Sequence, residues 1–284
     1  MSGVSGDGRV ITTRFAPAPT GHLHIGHVVN ASYVWETARR HGGRVLLRIE
    51  DHDAQRSRPE YERSILEDLA WLGFVADSPM VRQSDRGAVY EAALQRLRGQ
   101  GAIYACVCSR RDIAAAGGGG ELRYPGTCAS RNLPETSDSA VRVRLEPSEE
   151  RFDDLLQGPQ LQVPARQCGD LLVRDRKGNW TYQFAVTVDD LDQGVDLVIR
   201  GLDLIESTGR QIQLARMLGR TNPPRFLHHP LVMRTPDQKV SKSDGASGVR
   251  ELRAAGMQPP EVIAAARQLV SDAVNSKPQT PIST

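Results

Sequence analysis

Two short segments carry the residue types needed to handle a polyphosphate. In His22-Leu23-His24-Ile25-Gly26-His27, two imidazoles stand three residues apart, where helical geometry sets them on one face. Gly26 has no side chain to obstruct a nucleotide, and the free amides of a first helical turn favour phosphate oxygens. Imidazoles placed there can donate hydrogen bonds as charge develops on an α-phosphate, a role of stabilisation rather than proton abstraction. A histidine-rich helix cap or a metal site would use the same residues. Far along the chain, Lys239-Val240-Ser241-Lys242-Ser243 offers two cations and small hydroxyls that could close on β- and γ-phosphates, with Lys242 the stronger candidate because it lies deeper in the segment. Alone, that segment reads better as a solvated turn, and only its pairing with the histidine segment changes the balance.

A second set of residues suits an acidic amino acid. Such a ligand needs a cation for each carboxylate and an acid for its α-ammonium, and arginine's planar fork suits the first two tasks. Arg14 falls at the end of a first strand, Glu50 at the end of the next, and Arg200 at the end of a later one, while Tyr182 could add a hydroxyl donor. Each could form an ordinary salt bridge; their shared strand-end setting is the more informative feature.

A third set is suited to a metal. Of four cysteines, Cys106, Cys108 and Cys128 share one short stretch, and folding of the glycine run 117–120 could bring them to Tyr124, giving three thiolates and a phenolate in a tetrahedral shell. Coordination must then offset deprotonation of a phenol that ionises well above neutral pH. The alternative is a compact turn of reduced cysteines with Tyr124 packed beside them. Cys168 is too remote to assign.

The elements that must position these groups read as α/β. Arg9 to Phe15 predicts a strand, and a proline-rich turn leads to a helix from about Ile25 that stops at His41-Gly42-Gly43. Val45 to Ile49 predicts a buried strand. Arg58-Pro59-Glu60 opens a helix through Leu72 with Ile65, Leu66, Leu69 and Leu72 on one face. Strand, helix, strand, helix favours parallel strands with right-handed crossovers and ligands at their carboxyl ends. Residues 104–177 read as an insertion between two halves of a nucleotide domain, 9–103 and 178–235. A lysine-serine loop with short helices at 236–271 and a frayed tail at 272–284 complete the expected organisation.

With 284 residues, 39% hydrophobic and 25% charged, the chain can bury a substantial core yet offers no apolar run long enough to span a bilayer. Residues 1–10 lack a cationic region followed by an apolar core, so a cytoplasmic location is expected. A net charge of +2 argues against a histone-like, counterion-dominated nucleic-acid binder while leaving room for a local basic RNA surface, and four cysteines are too few for a disulfide-held scaffold.

The histidine and lysine segments together resemble the two signatures of class I aminoacyl-tRNA synthetases, with Val240 in place of the usual methionine or leucine. The resemblance narrows to the glutamyl branch over residues 9–258. Arg14-Phe15-Ala16-Pro17-Ala18-Pro19-Thr20-Gly21 and Leu47-Arg48-Ile49-Glu50-Asp51-His52-Asp53 look like its active-site segments, and 180–190 and 198–203 extend the match, although Leu202 stands where an acidic residue is common. It implies a Rossmann-like nucleotide-binding fold in which Arg14 holds the substrate's side-chain carboxylate, Glu50 its α-ammonium and Arg200 its α-carboxylate, with Tyr182 assisting. His24, Gly26, His27, Lys239 and Lys242 would bind ATP with Mg²⁺, and His24, His27 and Lys242 would serve catalysis.

The cysteine-tyrosine spacing is similar to the zinc-bearing insertion of short relatives, the glutamyl-queuosine tRNA(Asp) synthetases, which implies one structural Zn²⁺ on Cys106, Cys108, Tyr124 and Cys128. Little chain follows Lys242, so the sizeable anticodon-binding region of ordinary glutamyl-tRNA synthetases is not expected. The resemblance implies activation of L-glutamate to glutamyl-adenylate and its transfer to the queuosine base of tRNA(Asp), by a monomer without a membrane partner. An ordinary glutamyl-tRNA synthetase charging tRNA(Glu) and a noncatalytic tRNA-binding descendant are the competing expectations.

Overall fold

The computed structural model describes residues 10–116, 123–235, 238–239 and 248–275; for 233–235, 238–239 and 272–275 it defines the backbone elements alone. The chain divides into two compact units. One comprises Met1–Val81, Leu197–Leu204 and Leu227–Thr284, and the other Arg82–Asp196 and Ile205–Phe226.

In the first unit, strand Thr12–Phe15 pairs in parallel with Arg44–Ile49, from Thr12 opposite Arg44 to Phe15 opposite Leu47. Helix Ile25–Arg40 makes the crossover and ends where the chain turns at Gly42, whose φ of 56° suits a residue without Cβ. Pro59 starts the next helix, Pro59–Leu72, because its fixed φ and missing N–H suit a first turn. Ile65, Leu69 and Leu72 face a core built from Phe15, Val28, Val29, Val34, Ile49, Leu197, Ile199 and Val262. Strand Leu197–Gly201 belongs to this unit, as do helices Val249–Ala254 and Pro259–Asn275.

That core also takes in a carboxylate. Asp68 is 2% exposed and its Oδ2 has no hydrogen-bond partner among the described residues. Burial pushes its pKa up to about 6, against the pull of the Arg250 and Arg253 guanidiniums. A folded-state pKa above the unfolded value of 3.8 means that the contribution is fully present below the unfolded pKa and is lost as pH rises through about 6. Asp68→Asn should therefore gain on the parent by about 3 kcal/mol between pH 4 and pH 8 in urea unfolding. A parent-variant difference that stays constant across that range would refute the assignment.

The second unit carries a three-stranded antiparallel sheet, Ile103–Cys106, Ala140–Val143 and Leu171–Arg174, with the middle strand between the other two. A hairpin of Glu150–Asp154 and Gly158–Gln162 lies outside that sheet. Helix Gly87–Gly99 buries Tyr90, Leu94 and Leu97, spaced four and three residues apart, in a core with Val143, Val173, Phe184 and Leu214. Helix Tyr182–Asp192 is tied to it through buried Asp189, which accepts hydrogen bonds from Gln83 Nε2 at 2.7 Å, Tyr90 Oη at 2.9 Å and Arg86 Nε at 2.6 Å. The carboxylate thus enters the core fully partnered.

Candidate active site

At the start of helix Ile25–Arg40 the two histidines fold over their own backbone. The Gly26 N–H donates to His24 Nδ1 and the His24 N–H donates to His27 Nδ1, each at 3.1 Å, and the rings stand 3.9 Å apart. A backbone N–H can only donate, so both Nδ1 atoms accept and the proton of each ring sits on Nε2. The helix entrance is therefore capped by two imidazoles that keep an N–H donor on their far edges. Gly26 is required for this arrangement, since a Cβ there would come within 2.9 Å of the His24 ring.

The segment is held from behind. His24 bridges antiparallel to Gly248, and the Val249 N–H donates to the Leu23 carbonyl at 2.9 Å. Arg250 donates to His22 Nε2 at 3.0 Å, so His22 carries its proton on Nδ1 and donates to Ser64 Oγ at 2.9 Å. His22 thus has the opposite tautomer from His24 and His27.

The same unit contains Arg14, Glu50 and Arg200, exposed by 4%, 7% and 3%, with Arg48 fully buried. Arg14 donates to the Ile199 carbonyl at 3.1 Å, the peptide group that leads into Arg200. Arg200 Nε donates to His228 Nε2 at 3.0 Å. Arg48 pairs with Glu50 at 3.3 Å, and the Glu50 N–H donates to the Pro17 carbonyl at 3.0 Å. Burying four ionic side chains costs free energy that a purely structural role could avoid with apolar residues, so these residues are candidates for a ligand site.

Tyr182 begins helix Tyr182–Asp192 in the second unit. Lys239 lies in the short strand Gln238–Lys239, where it is opposite Met233. Lys242 is outside the described residues. Arg48, His228, His22 and Arg250 are the polar partners that sequence reasoning missed. Arg48 had a signal, a cation inside an otherwise apolar strand, whereas the others are paired through folding.

The second unit gathers the cysteines. The Sγ atoms of Cys106, Cys108 and Cys128 lie within 4.8 Å of one another, and Tyr124 Oη is 3.5 Å from Cys106 Sγ. Burial would raise the Cys128 thiol, but hydrogen bonds from the Val107 amide and from Cys108, Tyr124 and Cys106 bring it down to about 7. Burial and its bond to Cys128 push Cys108 up to about 11. Burial first, then the Cys106 hydrogen bond, raises Tyr124 above the ordinary phenol value. Three sulfurs and a phenol oxygen, converging from the end of strand Ile103–Cys106 and from the segments that carry Cys108, Tyr124 and Cys128, could hold a metal ion. Cys168 stands apart: its Sγ donates to Pro164 and Gly169 carbonyls, while its own carbonyl accepts the Tyr124 N–H at 2.9 Å.

Gly169, at φ 67°, lies so close to Tyr124 that a Cβ would overlap the Tyr124 carbonyl oxygen. Gly169→Ala should lose on the order of 1–3 kcal/mol of stability, measured by urea unfolding with a chelator present. Unchanged unfolding would show that this contact does not constrain Tyr124.

Residues 10–273 match the catalytic domain of class I tRNA synthetases (E and Q). The glutamyl-Q tRNA(Asp) synthetase of Ectopseudomonas mendocina is 42% identical over 257 residues, covering 87% of this chain and 85% of that protein. Its counterpart in Rhodobacter capsulatus is 37% identical over 273 residues, covering 88% and 97%. The chain belongs to the glutamyl-Q tRNA(Asp) synthetase family.

Membership in the glutamyl-Q tRNA(Asp) synthetase family fits a comparison of folds. A glutamate tRNA ligase from Elizabethkingia meningosepticum, solved in complex with its amino acid, superposes with a TM-score of 0.72 at 28% identity over 84% of this chain. The chain spans 53% of that ligase and 54% of a second, from Elizabethkingia anophelis, and so about half of their length. Its core is accordingly the Rossmann-like α/β fold of class I synthetases with additional helical and strand subdomains. Among the described residues, no helix is long and apolar enough to cross a membrane.

Proposed function

We propose that this chain condenses L-glutamate with ATP to form glutamyl-adenylate and transfers the glutamyl group to the queuosine base in the anticodon of tRNA(Asp). The carrying observation is the burial of Arg14, Glu50 and Arg200 in the unit whose helix entrance bears His24, Gly26 and His27. The identity of 37–43% to glutamyl-Q tRNA(Asp) synthetases supports the choice of amino acid and acceptor.

Arg14 holds the side-chain carboxylate of glutamate, Glu50 the α-ammonium and Arg200 the α-carboxylate. Arg48 steadies Glu50, and His228 turns the Arg200 guanidinium. An oxygen of the α-carboxylate attacks the α-phosphorus of ATP, the bond to the bridging oxygen breaks, and pyrophosphate leaves. Nε2–H donors on His24 and His27, the amides at the helix entrance and the Lys239 and Lys242 cations stabilise the phosphoryl charge. Mg²⁺ bound with ATP would shield its phosphates. A hydroxyl of the queuosine cyclopentene-diol then attacks the glutamyl carbonyl and AMP departs. No covalent enzyme intermediate is needed, because positioning and electrostatics lower both barriers.

Cys106, Cys108, Tyr124 and Cys128 would hold one structural zinc ion, supported by the convergence of their donor atoms. When bound, the ion would tie Cys106 and Cys108 to Tyr124 and Cys128 within the insertion at 104–177. ATP, glutamate and tRNA meet in the cytoplasm, where we place the reaction.

Matched acceptors test the reading. With ATP, Mg²⁺ and labelled glutamate, label should pass to queuosine-containing tRNA(Asp) and neither to queuosine-free tRNA(Asp) nor to tRNA(Glu). Label on the 3′ end of tRNA(Glu) would instead identify an ordinary glutamyl-tRNA synthetase.

A further inference from the structure

Strand Ala140–Val143 runs antiparallel to Ile103–Cys106 and sets Arg142 opposite Tyr104, beneath the cysteine cluster. Arg142 is 6% exposed. Its Nε donates to Cys106 Sγ at 3.4 Å, its Nη1 donates to the Asp170 backbone carbonyl at 2.8 Å, and its guanidinium carbon lies 3.7 Å from the centre of the Tyr124 ring. One cation thus touches two of the four donor groups.

Arg142 has no carboxylate partner among the described residues. The nearest acid in its hydrogen-bond network, Asp170, commits its side chain elsewhere: Oδ2 accepts from Tyr104 Oη at 2.6 Å and Oδ1 from the Leu145 N–H at 3.0 Å. A buried guanidinium facing only neutral groups is costly. Its charge is permanent, so it cannot escape that cost by deprotonation. Three thiolates and a phenolate around a divalent cation leave two negative charges in excess. Arg142 lies against one of the thiolates and the phenolate, and Arg131 approaches Cys128 Sγ at 3.9 Å from the exposed side.

We propose that Arg142 is the counter-charge of the metal site, a buried positioning residue that lets an anionic Cys106 and an anionic Tyr124 share one divalent ion. The inference rests on the zinc reading given above. Tyrosine is a ligand whose ionised form needs support, and here that support comes from two directions. The Cys128 N–H donates to the phenol oxygen at 2.9 Å, and the guanidinium covers the ring face, where its attraction grows as the ring becomes anionic. Zinc affinity should therefore depend on the charge at position 142 even though Arg142 supplies no ligand atom, as outer-shell partners of metal ligands do.

The test measures zinc binding to the full chain by competition with a chromophoric chelator, for the parent, Arg142→Lys, Arg142→Gln, Arg142→Met, Tyr124→Phe and Arg142→Met/Tyr124→Phe. Both neutral replacements should weaken binding about 10–100-fold, with Arg142→Lys recovering part of the loss. The effect of Arg142→Met should shrink in the Tyr124→Phe background, because one of the two anions it faces has gone. The cobalt-substituted parent should keep a thiolate-to-cobalt absorption band. If the neutral variants unfold while Arg142→Lys folds and binds zinc, the charge requirement stands. Equal affinity in parent and folded neutral variants, or Arg142→Lys binding no better than Arg142→Gln, overturns the role of Arg142. A parent that takes up no stoichiometric zinc overturns the metal site itself.

Discussion

Arg14→Met is expected to lower kcat/KM for glutamate in ATP–pyrophosphate exchange by about 10²–10³-fold, the cost of leaving a desolvated carboxylate without its cation. Methionine keeps the apolar stem and can fill the same buried volume, while deleting the donors. The parent side chain gives one donor to the Ile199 carbonyl, so the variant also leaves that acceptor without this bond. That local change costs about 1 kcal/mol of stability, too little to unfold the unit. With Arg14 in its proposed role on the amino acid, the loss should appear chiefly in KM for glutamate, with KM for ATP little changed. Loss of ATP affinity with unchanged glutamate dependence would assign Arg14 to the nucleotide instead.

His24→Asn should separate the capping role of this residue from its chemical one. Asparagine is among the best N-cap residues, and its Oδ1 can accept the Gly26 N–H that His24 Nδ1 accepts now. It has no counterpart to Nε2–H at the far edge of the ring. Helix Ile25–Arg40 should therefore survive while exchange falls by about 10²–10³-fold, the usual cost of removing one donor aimed at transition-state charge. His24→Ala removes cap and donor together and should cost a further ~1 kcal/mol in unfolding. If His24→Asn retains full exchange, the histidines are a capping device and phosphate stabilisation must come from elsewhere.

The sequence made several elements legible because their signals are local. Helix Ile25–Arg40 stops where a histidine and two glycines stand, and helix Pro59–Leu72 begins at its proline and carries a leucine stripe. Strand Ala140–Val143 shows its β-branched residues, and Leu171–Arg174 its apolar run. Helix Gly87–Gly99 lacks such punctuation: Arg86 makes no side-chain cap bond, and the fully buried part of its apolar face is Tyr90, Leu94 and Leu97. The hairpin of Glu150–Asp154 and Gly158–Gln162 is hidden by its polarity, since a strand with Asp153, Gln160 and Pro159 departs from the usual composition.

The candidate site divides in the same way. His24, Gly26 and His27 share one four-residue segment, and Arg14 and Glu50 sit near the ends of recognisable strands, so residue type and position mark them as candidates. The partners that orient them do not follow from spacing. His228 meets Arg200 across 28 residues, Arg250 meets His22 across 228, and Arg142 meets Cys106 across 36. Each is an ordinary polar residue until the fold removes it from water or brings its partner. Tyr124 lies between these cases, since its spacing to Cys128 is readable while its support by Gly169 and Arg142 is not.

The most direct measurement is RNA-free ATP–pyrophosphate exchange by the folded, zinc-replete chain with saturating ATP and Mg²⁺, run with each amino acid in turn. L-Glutamate should drive exchange and leave a trapped glutamyl-adenylate, with glutamine and aspartate far weaker. A protein that binds ATP yet neither binds L-glutamate nor forms its mixed anhydride would contradict the assignment of Arg14, Glu50 and Arg200, and the transfer to RNA would lose its activated donor.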